Sequence, residues 1–238
     1  MEQGARPKSE RATMSPGPGM WNTLVASFRI TIFATLIATA VGIPIAVALS
    51  KRRIWGRSLW EGIVTLPLVM PPTALGYYLL VSLGNNSPPG RLYRALTGSG
   101  LVFSWTGVSL AVGIVCIPLL VRTLQVSLQS IDASVLDSAR LDGASEVQIV
   151  QRIMLPLSWP GLCAGIGLAF ARALGDFGVT LMVGGNIEGA GGTHTLSLAI
   201  YESINAGDDH EALALVLIVT AVCLIFSISA SGLMRRHP

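Results

Sequence analysis

The chain has 238 residues, 51% hydrophobic and only 12% charged, with a formal net charge of +3. Soluble domains carry roughly 25% charged residues, so this chain cannot cover a water-facing surface. Its basic residues are not interleaved with aromatics as nucleic-acid binding requires, which leaves the lipid bilayer as its solvent and reads as one all-α integral membrane domain of about five transmembrane helices.

Residues 1–21 are polar and rich in Pro, Gly and Ser, and are expected to be a disordered N-terminal tail. Met14 and Met20 are alternative starts within it. The membrane domain then occupies residues 22–236. Its first span, Asn22 to Leu49, is longer than the roughly 7–15-residue core of a signal peptide and reads as a retained helix. Arg29 is its one charge and lies near an end, where it can snorkel to the interface. A basic loop follows with Lys51, Arg52, Arg53 and Arg57. The second span, Glu61 to Leu83, contains Pro67, Pro71 and Pro72, so three backbone donors are missing and the helix is expected to break or kink. Inside a membrane such irregularity is tolerated where it packs against protein or lines a cavity. Both a packing kink and a path-facing role are open for these prolines.

Gly84 to Ser104 is polar, with Asn85, Asn86, Pro88 and Pro89 as turn formers. The third span runs from Trp105 to Val126. Ser127 to Arg152 is too polar to cross a membrane yet has a helical pattern. The fourth span, Leu155 to Val183, carries Arg172 and Asp176, four apart on one face of a helix and within pairing distance. A lone charge there costs a few kcal/mol, so the two are expected to pair. Either a structural ion pair or a path-facing Arg172 would fit that arrangement. Gly184 to Glu211 is polar and Gly-rich, with a short apolar stretch at Leu196 to Ile200, and the fifth span is Ala212 to Leu233. The positive-inside rule puts the Lys51–Arg57 loop in the cytoplasm. Alternation then places Gly84–Ser104 and Gly184–Glu211 outside, and Ser127–Arg152 and the C-terminus inside. Arg91 and Arg94 run against this assignment.

Several chemistries find no residues to carry them. Cys116, Cys163 and Cys223 each sit in an apolar run without metal-ligand spacing. The histidines form no cluster, so no metal and no cofactor is expected. There is no Gly-x-x-x-x-Gly-Lys-Ser/Thr phosphate loop. The chain therefore reads as no enzyme, and ATP hydrolysis would need a separate subunit.

The informative motif lies in the loop between the third and fourth spans. It reads Asp137-Ser138-Ala139-Arg140-Leu141-Asp142-Gly143, nine further residues, then Ile153-Met154-Leu155-Pro156. Asp132 can cap a helix ahead of it, and Gly143 can end or bend that helix. Ala139 and Gly143, four apart, are expected to share a face where another surface can approach closely. The second stretch leads back to the membrane, with Pro156 near the start of the next span.

This spacing resembles the cytoplasmic loop of binding-protein-dependent ABC importer permeases: Glu-Ala-Ala, three residues, Gly, nine residues, Ile-x-Leu-Pro. Here Asp137, Ser138 and Ala139 stand for Glu-Ala-Ala, and Gly143, Ile153, Leu155 and Pro156 match. Further stretches are similar to molybdate permease subunits. They are Leu66–Pro72 with Gly76-Tyr77, Phe103–Trp105, Pro118–Arg122, Ala169–Gly178 with Gly185–Ile187, and Thr193–Tyr201. Asp176 stands where that family usually has Glu, and Glu188–Gly192 is longer than the usual turn. The resemblance implies an ABC importer permease domain over 22–236, multi-pass in the cell inner membrane. It implies a cytoplasmic coupling helix between the third and fourth spans, two ATPase subunits, a second copy of the chain and an extracytoplasmic oxyanion-binding protein. The cargo it implies is an oxyanion, molybdate first, with tungstate and sulfate as alternatives. Pro67, Pro71, Pro72, Arg172 and Asp176 are the path candidates. A secondary transporter is the rival reading; it would need more buried ionisable residues and visible inverted repeats.

Overall fold

The computed structural model describes residues 18–50, 56–187, 189 and 192–235. Most of the expected tail and the basic residues Lys51, Arg52 and Arg53 lie outside them. Residues 18–21 open the first helix, α1 (Pro18–Ser50), which is long and apolar enough to cross the bilayer unbroken. After the inner loop come α2 (Arg57–Val69) and α3 (Pro72–Leu83), set at 109° to one another. The break follows from the proline pair. Met70 and Pro71 each precede a proline and are extended, with ψ of 144° and 134°. Pro72 then sits in the first turn of α3, where its missing N–H is no loss.

The polar stretch that follows is not merely a turn. Ser87 accepts from the Gly90 amide and caps α4 (Pro88–Thr97), which ends at Gly98 with φ of 74°. The third span is α5 (Trp105–Gln129), capped by Ser104. The loop motif forms α6 (Ala133–Leu141) and α7 (Glu146–Ile149).

The fourth span corrects the expectation of one run from Leu155 to Val183. Helical structure starts at α7, passes through a wide turn at Val150–Met154 into α8 (Leu155–Leu157), and bends by 75° at Ser158 into α9 (Trp159–Leu174). Pro156 has no amide for the Arg152 carbonyl, and the turn before it opens, so that the Leu155 amide reaches the Val150 carbonyl. A second break at Gly175–Phe177 separates α9 from α10 (Gly178–Gly184). The chain closes with α11 (Leu196–Ala206) and the last span, α12 (Asp209–Arg235).

The central helix is α5, and small residues let its neighbours approach, as membrane interfaces require. A β-carbon on Gly113 would stand 3.1 Å from the Ala34 carbonyl of α1, and one on Gly165 would stand 3.3 Å from the Leu120 backbone. Between α5 and α9 the approach is tighter still at Gly161 of α9, where a β-carbon would lie 2.3 Å from Ser127 Cβ. Gly161→Val is therefore expected to part α5 from α9 and reduce the yield of monodisperse protein in detergent. Gly62→Val, with open space around the added carbon, is the control.

Apolar side chains form two clusters, one at each end of the bundle. The outer one joins Ile30 and Ala34 of α1, Leu75 and Leu79 of α3, Val108 and Val112 of α5, and Ala169 and Val179. The inner one joins Ala46 and Leu49, Leu120 and Leu124, Ile149, Met154 and Leu162. Arg57, Arg122, Arg140 and Arg152 gather at the inner end, whereas Gly184–Glu211 holds no Lys or Arg, so the inner end is cytoplasmic. In a cysteine-free protein, Ser87→Cys is expected to react with an impermeant thiol reagent from outside and Ser145→Cys only from inside. The opposite pattern would invert the fold in the membrane.

Candidate functional site

The cytoplasmic turn is built from local signals. The Asp132 carboxylate accepts from the Ser134 amide at 2.9 Å and starts α6. The Ser134 amide, with its hydroxyl second, holds the Asp132 carboxyl below the usual carboxylate range. A carboxylate held low supports the cap above its unfolded-state value, near about 4, and the support is lost only as pH falls through the lower folded value. The cap is thus intact throughout the neutral range. At the other end Gly143 has φ of 84°, and the Ala144 amide donates to the Ala139 carbonyl at 3.0 Å. The left-handed residue closes the helix. Gly143 therefore lies beyond α6, and it does not share a helical face with Ala139 as the spacing suggested.

The two small residues serve different ends. Ala139 and Leu136, a turn apart, pack inward on the Leu124–Leu128 cluster, so a small side chain lets α6 sit close to the bundle. Asp137, Ser138 and Gly143 are exposed, and Leu141 is 89% exposed. Ile153 and Leu155 are half-buried, Pro156 is exposed, and the anchoring residues between and beside them are Ile149 and Met154. The turn has two braces that the motif did not name. Ser145 and Gln148 form a reciprocal capping box on α7. Arg140 donates to Glu146 at 2.9 Å and to Asp137 at 2.7 Å, linking α6 to α7. Glu146, then Asp137, raise the Arg140 guanidinium above its ordinary value. These groups are exposed, so the brace sets geometry more than stability.

The second constellation lies where two broken spans meet. Arg172 is in the last turn of α9 and donates to Asp176 Oδ1 at 2.8 Å. Asp176 lies past the end of the helix rather than along its face. Its Oδ2 accepts from the Thr180 amide at 2.9 Å and from the Thr180 hydroxyl at 3.1 Å, so one carboxylate serves both the arginine and the first turn of α10. The Asp176 side chain is sealed from solvent and that of Arg172 is 31% accessible. Two residues on, a β-carbon on Gly178 would stand 2.8 Å from Pro72 Cβ, and one on Gly76 would stand 2.9 Å from Met182 Cβ. The starts of α3 and α10 therefore touch. Pro71 and Pro72 are exposed at this junction. Pro67 is half-buried and lies within α2, a helix with no buried side chain.

Residues 19–237 match the family described as binding-protein-dependent transport system inner membrane component. The chain belongs to this family. The molybdenum transport system permease protein ModB of Haemophilus influenzae is 36% identical over 211 residues, covering 88% of this chain and 91% of the relative. The sulfate transport system permease protein CysT of Salmonella typhimurium is 29% identical over 217 residues, covering 90% of this chain and 77% of the relative. Among solved structures, one of inward-facing conformations of the MetNI methionine ABC transporter superposes with a TM-score of 0.71 at 18% identity, covering 94% of this chain and all of that one. That likeness shows a shared fold. The chain is thus a multi-pass inner-membrane permease component, with α6 on the cytoplasmic side between its third and fourth spans.

Other groups in the permease escape a sequence reading because their partners are distant in the chain. Glu61 of α2 accepts from Arg57 at 2.9 Å and from Gln125 of α5 at 2.8 Å, with Arg122 at 3.6 Å. This cluster fastens α2 to α5 at the inner end. At the outer end Arg29 does more than snorkel: its guanidinium lies 4.5 Å from the centre of the Trp105 ring and donates to the Gly192 carbonyl at 3.4 Å. His194 bonds Thr23 of α1 through Nδ1 and Glu202 of α11 through Nε2, each at 2.9 Å. Glu202 also accepts from Asn186. The lone charge in the first span was the only sequence signal for any of these ties.

Proposed function

We infer that two copies of this permease line one path on a two-fold axis, above two cytoplasmic ATPase subunits, and pass molybdate delivered from outside by an oxyanion-binding protein. The observation that carries the cargo is the 36% identity to a molybdenum permease along nearly the whole of both chains. The cytoplasmic turn supports the coupling role. Asp137, Ser138, Leu141 and Gly143 present an exposed knob with an apolar tip, while Ala139, Ile149 and Met154 root it in the inner cluster. A push on the knob reaches the ends of α1 and α5 directly. In this reading Ile153, Leu155 and Pro156 transmit the push into α9.

Affinity for the ion resides in the binding protein, and the path needs only weak attraction. Arg172 suits that role, because its accessible edge offers N–H donors to a passing oxyanion, while Asp176 neutralises part of its charge and prevents trapping. Pro71 and Pro72 hold the break that exposes this region, with Pro67 in the arm before it. Sulfate is the second reading, supported by the CysT relative at lower identity. Uptake of labelled molybdate by cells lacking their own permease separates the two. Restored uptake that excess tungstate suppresses and excess sulfate leaves intact is expected. Suppression by sulfate alone would transfer the assignment to sulfate.

A further inference from the structure

The outward face of α3 is unlike the outward faces of the unbroken spans. On α1 the exposed residues are apolar, among them Val25, Ile32, Phe33, Leu36 and Val41, and on α12 Leu213, Leu217, Leu224 and Ile225 dominate. On α3 the exposed residues include Thr73, Tyr77, Tyr78 and Ser82 beside Val81, and Thr73 and Tyr77, four apart, put two hydroxyls on one side of the helix next to the break. Several hydroxyls elsewhere in the spans are satisfied by a carbonyl one turn back, as Thr35, Ser109, Thr123 and Thr220 are at 2.8 Å. No described residue bonds the four hydroxyls of α3.

The backbone at the foot of this face also calls for water. In α2 the carbonyls of Pro67 and Leu68 would be met one turn on by the amides of residues 71 and 72, and both are prolines. Those two carbonyls can find no donor in their own helix. Unpaired backbone at membrane depth is tolerated only where it packs in protein or faces a water-filled cavity, and Pro71 and Pro72 are exposed. The same foot touches Gly178, two residues past Asp176.

We propose that this face of α3 lines the aqueous path, and that the Tyr77 and Thr73 hydroxyls donate in succession to the oxyanion on its way in to Arg172. The proposal rests on the importer reading above. A tetrahedral oxyanion presents acceptors only, and a neutral hydroxyl supplies one donor without a charge that would hold the ion. Thr73 and Tyr77 are one helical turn apart, about 6 Å at helical rise, so the pair can pass a small ion from the outer side down to the mid-membrane break.

The test uses the cysteine-free permease assembled with its ATPase and binding protein in vesicles. Thr73→Cys and Tyr77→Cys are compared with Phe33→Cys and Leu217→Cys as lipid-facing controls. A charged methanethiosulfonate reagent needs a hydrated thiolate, and it is expected to modify the two α3 positions at least about tenfold faster than the controls. Tyr77→Phe is expected to lower oxyanion taken up per ATP hydrolysed by about fivefold, the worth of one hydrogen bond. Control-like rates at both α3 positions would place the face against lipid and overturn the proposal. Reaction at Tyr77→Cys without Thr73→Cys would make it an interfacial tyrosine, and a disulfide between copies with no modification would make it a dry contact. Either result would overturn the proposal too. Unchanged uptake by Tyr77→Phe would remove the donor role. If the unmodified vesicles take up no oxyanion, the importer reading fails instead.

Discussion

Gly143→Trp is expected to leave the bundle folded and to abolish ATP-driven uptake. The residue adopts φ of 84°, and beyond its two chain neighbours no described residue comes within 4 Å of a β-carbon built there. The substitution costs about 1–2 kcal/mol for the left-handed backbone, confined to a turn on the cytoplasmic surface. The indole then projects into space that is empty until a partner docks. A bulky group at the centre of such a contact is expected to cost about 2 kcal/mol or more, roughly thirtyfold in affinity. Gly143→Ala separates the two effects, because it carries the backbone strain without the bulk. Thermal unfolding of the membrane domain should be nearly unchanged for both variants. ATPase capture and substrate-stimulated hydrolysis should be lost in the Trp variant and largely kept in the Ala variant. Normal stimulation with Trp would show that α6 and Gly143 are not the point of contact.

Asp176→Ala is expected to be the most destabilising single change in the membrane interior. It leaves Arg172 without its 2.8 Å partner and removes the acceptor for the amide and hydroxyl of Thr180. Breaking a buried pair costs about 3–5 kcal/mol, and the accessible edge of Arg172 brings the expected loss to the lower end. Asp176→Asn keeps an acceptor for Thr180 but loses the charge, so it should recover part of the folded yield. Exchanging the residues, Arg172→Asp with Asp176→Arg, would be neutral if they were only a pair along a helix. The geometry predicts failure, because an arginine at 176 cannot accept from Thr180 and places positive charge at the start of α10. Folded yield in detergent reads out all three variants. A stable exchange variant would show that the bonds to Thr180 contribute nothing.

The sequence carried the features that depend on neighbours in the chain. Five apolar runs marked the spans, three prolines announced the broken second span, and Asp132 marked the start of α6. Where two local rules compete, the pattern misleads. Ser87-Pro88-Pro89 has the composition of a turn, yet proline in a first turn starts α4 as readily as it ends another helix. The run from Leu155 to Val183 stays apolar across both of its breaks, so periodicity hid them, although Pro156, Pro160 and Gly175 were in view. Spacing put Ala139 and Gly143 on one face because it assumed that the helix continued to Gly143. The other reading of the same glycine, as the residue that ends the helix, is the one that its positive φ and the Ala144 amide on the Ala139 carbonyl bear out. Contacts such as His194 to Thr23 or Gln125 to Glu61 join residues far apart in the chain, and no window of sequence contains them.

If this permease is the path of an ATP-driven oxyanion importer, labelled molybdate must accumulate in vesicles containing the permease, its ATPase and its binding protein. That accumulation is the most direct measurement. Uptake against a gradient is expected to require ATP and the binding protein, and to stop with Gly143→Trp. Uptake that continues without ATP, driven by an ion gradient alone, would contradict the importer reading.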